Sequence, residues 1–312
     1  MTNVRPAIAE PDLDARNARL MRLASIASVS TAAILIVAKI VAWLLTDSVA
    51  LLSTLIDSLL DAGASLVTLL AVYHAVQPAD AEHRFGHGKA EPLAGLAQAA
   101  FIAGSGLLLL FEAVTRFFKP KPISNEWIGI GVMLFAIALT LLLVAFQFYV
   151  LRRTRSVAVR ADSMHYQGDL LINGSVIVSL AVSMFWSWPY LDPIFAIMIT
   201  GYLLFSASRV VRDSLDMLMD RELPNAERER IRQIVSLHPE VKALHDLRSR
   251  RAGLALFIQL HLEVDGNLTL RQAHEIADAV EADIIRAFPG AEVIIHQDPD
   301  DIVEIHPAIA HQ

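Results

Sequence analysis

The chain has 312 residues, 54% of them hydrophobic, with a mean hydropathy of +0.47, no cysteine and a net charge of −7. A soluble domain is about 45–50% apolar, so an excess gathered in long blocks points to a membrane, and the lack of cysteine excludes both a disulfide framework and a thiolate metal site. Residues 213–312 hold 10 Lys and Arg against 19 Asp and Glu, while residues 1–212 hold 16 against 14; an acidic tail speaks against nucleic acid as a partner and suits a domain that attracts cations.

Residues 1–22 contain acids and lack a small-residue cleavage site after a short apolar core, so they read as a retained cytoplasmic lead. A bilayer span takes about 20 mostly apolar residues. Six blocks qualify within 23–211: Leu23 to Leu45, Ala50 to Val76, Pro92 to Phe118, Trp127 to Leu151, Asp162 to Trp186 and Tyr190 to Val211. Asp192-Pro193 reads as a helix N-cap followed by proline at the first helical position. Arg16, Arg19 and Arg22 in the lead, Arg84 and Lys89 after the second block, and Arg152, Arg153, Arg155 and Arg160 after the fourth fall on one side. The positive-inside bias therefore puts both termini in the cytoplasm. Arg116, Lys119 and Lys121 dissent, and Arg116 is placed to pair with Glu112 at i,i+4.

Residues 212–224 read as a linker. From 225 to 298 the pattern changes. NAERERIRQIVSLHP is an amphipathic helix, VKALHDLRSRRAG and LALFIQLHLEVD alternate as strands, LTLRQAHEIADAVEADIIRAFP is a second helix and AEVIIHQD a third strand. Gly253 suits a hairpin turn between the first two strands. The predicted fold is an α-helical membrane protein: six transmembrane helices followed by a small cytoplasmic α+β (αββαβ) domain. Residues 299–312 read as a loose tail.

Four residues inside the apolar blocks carry the chemistry. Asp57 and Asp61 are four apart on the second block and share a helix face; His165 and Asp169 repeat the spacing on the fifth. Each carboxylate near mid-membrane costs about 2.5–3.5 kcal/mol, so the three together cost about 7–10 kcal/mol before any pairing. No basic residue sits at matching depth on either helix, and a divalent cation is the natural compensation. Three oxygens and one imidazole nitrogen close a tetrahedral shell, the geometry Zn²⁺ takes most often; Cd²⁺, Fe²⁺ or Mn²⁺ are also admitted. Asp162, at the expected start of the fifth span, is read as a helix cap. Lys39, inside the first span, is read as a side chain snorkelling to the nearer interface.

Two further groups lie outside the apolar blocks. Asp80, His83 and His87 sit in PADAEHRFGHGKAEP, where Pro78, Gly86 and Gly88 argue for a loop. Three ligands plus water make an exchangeable site. In the tail, His261 shares a strand face with Gln259 and Glu263, and His296 shares one with Asp298. Together with His245 and His274 these place five candidate ligands between His245 and Asp298, which favours metal. His238, His306 and His311 read as surface residues, and His74 has no evident partner.

DSLLD, HYQGD, QPADAEHRFGHGKAE, LHDLR, QLHLE, QAH and IIHQD, spread from about Leu20 to Asp298, resemble the motifs of the cation diffusion facilitator family. The resemblance implies a homodimeric, proton-coupled metal exporter of the bacterial inner membrane, with a metal-binding cytoplasmic domain. It implies a transport site of Asp57, Asp61, His165 and Asp169 and a second metal site at Asp80, His83 and His87. In the tail it implies a two-metal cluster of His245, His261, His274, His296 and Asp298, with Asp298 bridging. It also implies an interlock of Lys89 with Asp220 between the membrane halves of the dimer. Zn²⁺ would then be both cargo and a structural or regulatory ion. Binding to ionised carboxylates and a neutral imidazole releases protons, and an imidazole such as His165 is a natural proton carrier. An intramembrane metalloenzyme would need an open coordination position beside a general base; HExxH is absent and all four residues read as ligands, so no enzyme is expected. A membrane-anchored metal sensor without transport is the alternative.

Overall fold

The computed structural model describes residues 11–46, 49–118, 127–183 and 191–301. The first ten residues of the lead, Lys119 and Lys121, the 184–190 link and the end of the tail with His306 and His311 lie outside the described residues, as do the side chains of Arg116 and Asp192. The chain forms two compact units, one spanning Arg16–Leu218 and the other including Met219–Gln312.

The first unit contains α1 (Pro11–Thr46), α2 (Val49–Ala75), α3 (Ala90–Phe118), α4 (Trp127–Thr154), α5 (Val157–Ser183) and α6 (Leu191–Leu218). Among the described residues five helices, α1 to α4 and α6, are long and apolar enough to cross a membrane. Five of the six expected apolar spans are among them. The first half of α5 carries Arg160, Asp162, His165, Gln167 and Asp169, so the helix that holds two candidate ligands is too polar to qualify.

α5 also begins five residues before Asp162. The carboxylate of Glu91, in the first turn of α3, accepts from Val157 N at 2.5 Å and Ala158 N at 3.4 Å. It therefore satisfies amide donors that a helix start leaves without an intrahelical partner. Asp162 is consequently not a cap, and the sequence expectation for it is corrected. α3, α5 and α6 pack through Ala99, Ile102, Ala161, Leu203, Ala207 and Val210. A side chain at Gly95 would collide with Ser214 Oγ, so glycine permits the close approach of α3 and α6.

The second unit holds α7 (Asn225–Ser236), β1 (Ala243–Ala252), β2 (Ala255–Val264), α8 (Leu270–Ala287) and β3 (Ala291–Pro299). The sheet order is β1-β2-β3, with β1 and β2 antiparallel and β2 and β3 parallel. Gly253, at φ 62°, lies in the two-residue turn between β1 and β2, where a positive φ matches the twist of a hairpin. α8 starts in a capping box: Thr269 Oγ1 accepts from Gln272 N, and Gln272 Oε1 accepts from Thr269 N. Its face of Ala273, Ala277, Val280 and Ile284 is buried, at helical spacing. Ile258, Leu260 and Leu262 of β2 join Val280, Ile284 and Phe288 in one core with Ile231 and Val235 of α7. Successive strand residues point to opposite faces, so Gln259, His261 and Glu263 stand on the face turned away from that core.

Candidate metal centres

The intramembrane group is built from α2 and α5. His165 Nε2 lies 2.9 Å from Asp61 Oδ1 and 3.9 Å from Asp169 Oδ2. Ligand atoms of Asp61, His165 and Asp169 all fall within 4.8 Å of one another, the spacing a single cation needs. His165 is nearly buried, while Asp61 and Asp169 keep 23% and 30% of their side chains open, which leaves a route for exchange. Asp57 is exposed, one turn before Asp61, and is not part of this close set. The structure thus brings together three of the four residues expected there.

Lys39 corrects a second expectation. Its ammonium does not snorkel to an interface; it crosses to α2, donating to the Thr54 carbonyl at 3.0 Å and to Ser58 Oγ at 2.6 Å. A basic residue therefore does stand at the depth of the carboxylates, supplied by α1. The signal in the sequence was a lone cation within an apolar block. Nothing in its spacing says which neighbouring helix it reaches.

Beneath His165, Asp162 is fully enclosed. Oδ2 accepts from Ser28 Oγ at 2.5 Å and Gln147 Nε2 at 2.8 Å; Oδ1 accepts from Gln98 Nε2 at 3.1 Å and Ser65 Oγ at 3.4 Å. These donors come from α1, α4, α3 and α2. Tyr166 joins the same knot, its Oη 2.9 Å from Ser65 Oγ and donating to the Ser28 carbonyl at 3.2 Å. Buried charge persists only when its lone pairs are met. Gln98 and Gln147, polar residues inside apolar blocks, were the legible sign of it.

The loop group holds together. His83 Nδ1 is 3.4 Å from Asp80 Oδ1, and His87 Nε2 is 3.3 Å from Asp80 Oδ2. Asp80 Oδ1 also accepts from the backbone N–H groups of His83 at 2.6 Å and Glu82 at 2.9 Å, which folds the loop back on itself. The His83 N–H is the main reason that the Asp80 carboxyl stays below its ordinary pKa; desolvation opposes it, and the Glu82 N–H and the neighbouring histidines add to it.

In the second unit the sheet register sets the histidines in a row. His245 faces His261 across the antiparallel pair, and His261 faces His296 across the parallel pair. A bulge between His245 and Arg248, with Asp246 at φ 49°, keeps His245 in line. The buried carboxylate of Asp298 divides its oxygens. Oδ2 is 2.8 Å from His261 Nδ1 and 3.2 Å from His245 Nε2, and Oδ1 is 3.1 Å from His296 Nε2. Glu263, not singled out from the sequence as a ligand, stands 3.8 Å from His245. His274 does not join. It is exposed on α8, pairs with Asp278 at 3.5 Å, and lies outside the buried stripe. His238 is no plain surface residue, because its Nε2 sits 3.2 Å from Asp283. Of the expected interlock, Lys89 donates to the Leu218 carbonyl at 3.5 Å, and Asp220, at φ 54°, pairs with Arg250 at 3.2 Å.

A helical membrane domain with a carboxylate–imidazole group, joined to an α+β domain with a histidine–aspartate cluster, describes one class of protein. The family profile described as "Cation efflux transmembrane domain" matches residues 25–219, and that described as "Cation efflux protein, cytoplasmic domain" matches residues 223–300. The chain belongs to this cation efflux, or cation diffusion facilitator, family. The "Cation-efflux pump FieF" of Salmonella paratyphi A (strain ATCC 9150 / SARB42) is 48% identical over 285 residues, 91% of this chain and 95% of the relative. That of Salmonella choleraesuis (strain SC-B67) gives the same figures. Among solved structures, the Zn form of CzrB is 35% identical, covering 28% of this chain and 99% of that one with a TM-score of 0.26. The metal-bound C-terminal domain of the CzcD transporter from Thermotoga maritima is 28% identical, covering 26% and 100% with a TM-score of 0.25.

Proposed function

We propose that the chain exports a divalent cation from the cytoplasm by alternating access, in exchange for protons. Zn²⁺ is the favoured cargo, with Fe²⁺, Cd²⁺ and Mn²⁺ as further substrates. The observation that carries this reading is the close set of Asp61, His165 and Asp169, formed where α5 meets α2, a helix long and apolar enough to cross a membrane. Asp57 completes the shell from the next turn of α2. α5 is the sixth span, its polarity shielded by the helices around it, and both termini are cytoplasmic in a bacterial inner membrane. Relatives named as cation-efflux pumps support the direction of transport.

The working unit is a homodimer, with Lys89 and Asp220 in the interlock between membrane halves. Asp298, with its oxygens divided between His261 and His245 on one side and His296 on the other, bridges two ions in the cytoplasmic domain. His274, outside the cluster within one protomer, would have to reach it from the second copy. The Asp80, His83 and His87 loop is a third, exchangeable site. Metal in the cytoplasmic domain favours the transport-competent dimer through its higher affinity for that state.

Full-length protein in liposomes tests the core of this reading. Asp61→Ala should abolish metal-driven proton flux while the tail still binds Zn²⁺. Flux retained by Asp61→Ala would overturn the site. A parent protein that binds Zn²⁺ through the tail but shows no flux would favour a membrane-anchored sensor.

A further inference from the structure

We propose that Lys39 is a built-in counter-cation of the intramembrane site and sets how tightly that site holds its cargo. The inference rests on the transport site read above and assigns a residue which that reading leaves without a role.

The ammonium is held by two neutral oxygens, the Thr54 carbonyl and Ser58 Oγ. At 3.6 residues per turn, Thr54, Asp57, Ser58 and Asp61 fall within an arc of about 100° on α2. Lys39 is therefore pinned to the face of α2 that bears both carboxylates, its two acceptors each three residues before one of them. Its bonds fix it in place without occupying a ligand oxygen. A helix–helix tie alone needs no charge, because a hydroxyl or amide donor would serve the same two acceptors at lower burial cost.

A fixed positive charge has two consequences for a site of three carboxylates. It repels a divalent cation at close quarters, where the effective dielectric is far below that of water. It also compensates the carboxylates when the cation has left, which lowers the burden of the empty state. Both shift the balance toward release.

The test separates charge from hydrogen bonding. In full-length protein carrying Asp80→Ala and Asp298→Ala, so that the other two clusters are weakened, Zn²⁺ binding is measured by calorimetry for Lys39→Gln, Lys39→Met and Lys39→Arg. Gln keeps a donor and loses the charge; Met loses both; Arg keeps the charge. Loss of the charge should tighten Zn²⁺ binding by on the order of tenfold or more. In liposomes KM and kcat should fall together, while Lys39→Arg stays near the parent. Unchanged or weaker binding in Lys39→Gln and Lys39→Met, or Arg behaving like Gln, overturns the inference. Asp61→Ala in the same background distinguishes the two levels. If it retains binding, the site itself falls and the inference with it. If it abolishes binding while the uncharged Lys39 variants match the parent, the inference alone falls. Should Lys39→Met not fold, Lys39→Gln against Lys39→Arg carries the comparison.

Discussion

Asp162 and Asp169 lie two turns apart on α5, and their surroundings are opposite. Asp162 is wrapped by neutral donors from the four preceding helices, two to each oxygen. Asp169 is partly open and looks toward His165 and Asp61. Both carry the burial cost of a charge among apolar helices. In one case permanent hydrogen bonds offset it; in the other, on the proposed reading, an exchangeable cation and the Lys39 ammonium do. The contrast sets a carboxylate that ties the bundle together beside one proposed to hold cargo, on a single helix and within one stretch of eight residues.

The largest predicted effect tests the closed half of that comparison. Asp162→Ala leaves buried Ser and Gln donors without their acceptor, at about 1–3 kcal/mol for each unsatisfied group. With relaxation and several donors freed at once, the total is on the order of a few kcal/mol. In detergent the variant should melt well below the parent, or fail to accumulate, with and without Zn²⁺. The open half predicts the reverse. Asp169→Ala should leave the metal-free melting temperature unchanged or raised, because it removes a carboxylate facing Asp61. What it should lose is the Zn²⁺-induced rise, worth about 2.7 kcal/mol at a concentration of 100 times Kd, read in the Asp80→Ala, Asp298→Ala background. An Asp162→Ala protein that melts like the parent yet loses Zn²⁺ stabilisation would exchange the roles of the two carboxylates.

A smaller effect is expected at the start of the same helix. Glu91 caps α5 from α3. Glu91→Gln keeps an acceptor oxygen but loses its charge, so the cost should resemble that of a helix cap, about 0.5–2 kcal/mol. The melting temperature should fall modestly, and Zn²⁺ affinity should stay near that of the parent. A large loss of affinity with an unchanged melting temperature would mean that Glu91 belongs to the metal path.

Local pattern was legible; the partners across the fold were not. Strand alternation in LALFIQLHLEVD and the apolar stripe of α8 announce the second unit, because those periods depend on neighbours in sequence. The row His245–His261–His296 depends on register and on the bulge before Arg248, which alternation does not encode. In the first unit the i,i+4 pairs on α2 and α5 were visible, and their meeting is what two matched pairs suggest. The misreadings share one cause. Asp162 looked like a cap because the true cap, Glu91, is 66 residues away from Val157. Lys39 looked like a snorkelling side chain because its acceptors belong to another helix. His274, by contrast, is set apart from the cluster only within one protomer.

The smallest effect concerns a carboxylate that is neither sealed nor buried. Asp80 accepts backbone N–H bonds in an exposed loop, and these hold its carboxyl below the ordinary value. A depressed folded pKa means that its contribution to loop order is complete above the ordinary carboxylate range, near pH 3.9. That contribution is lost only as pH falls through the still lower folded value. Between pH 7 and pH 5 Asp80 therefore stays charged, and any loss of loop-bound metal over that window is not due to its protonation. The fold role and the ligand role can be separated here. Asp80→Asn keeps an oxygen for the His83 and Glu82 N–H groups, so hydrogen exchange at those two amides should match the parent while loop metal binding weakens. Asp80→Ala should speed exchange at both amides and weaken the metal equally, with no measurable change in melting temperature. If Asn already freed the amides, the carboxylate charge rather than its geometry would be what orders the loop. Asp80 would then stand nearer to Asp162 than to Asp169 in kind.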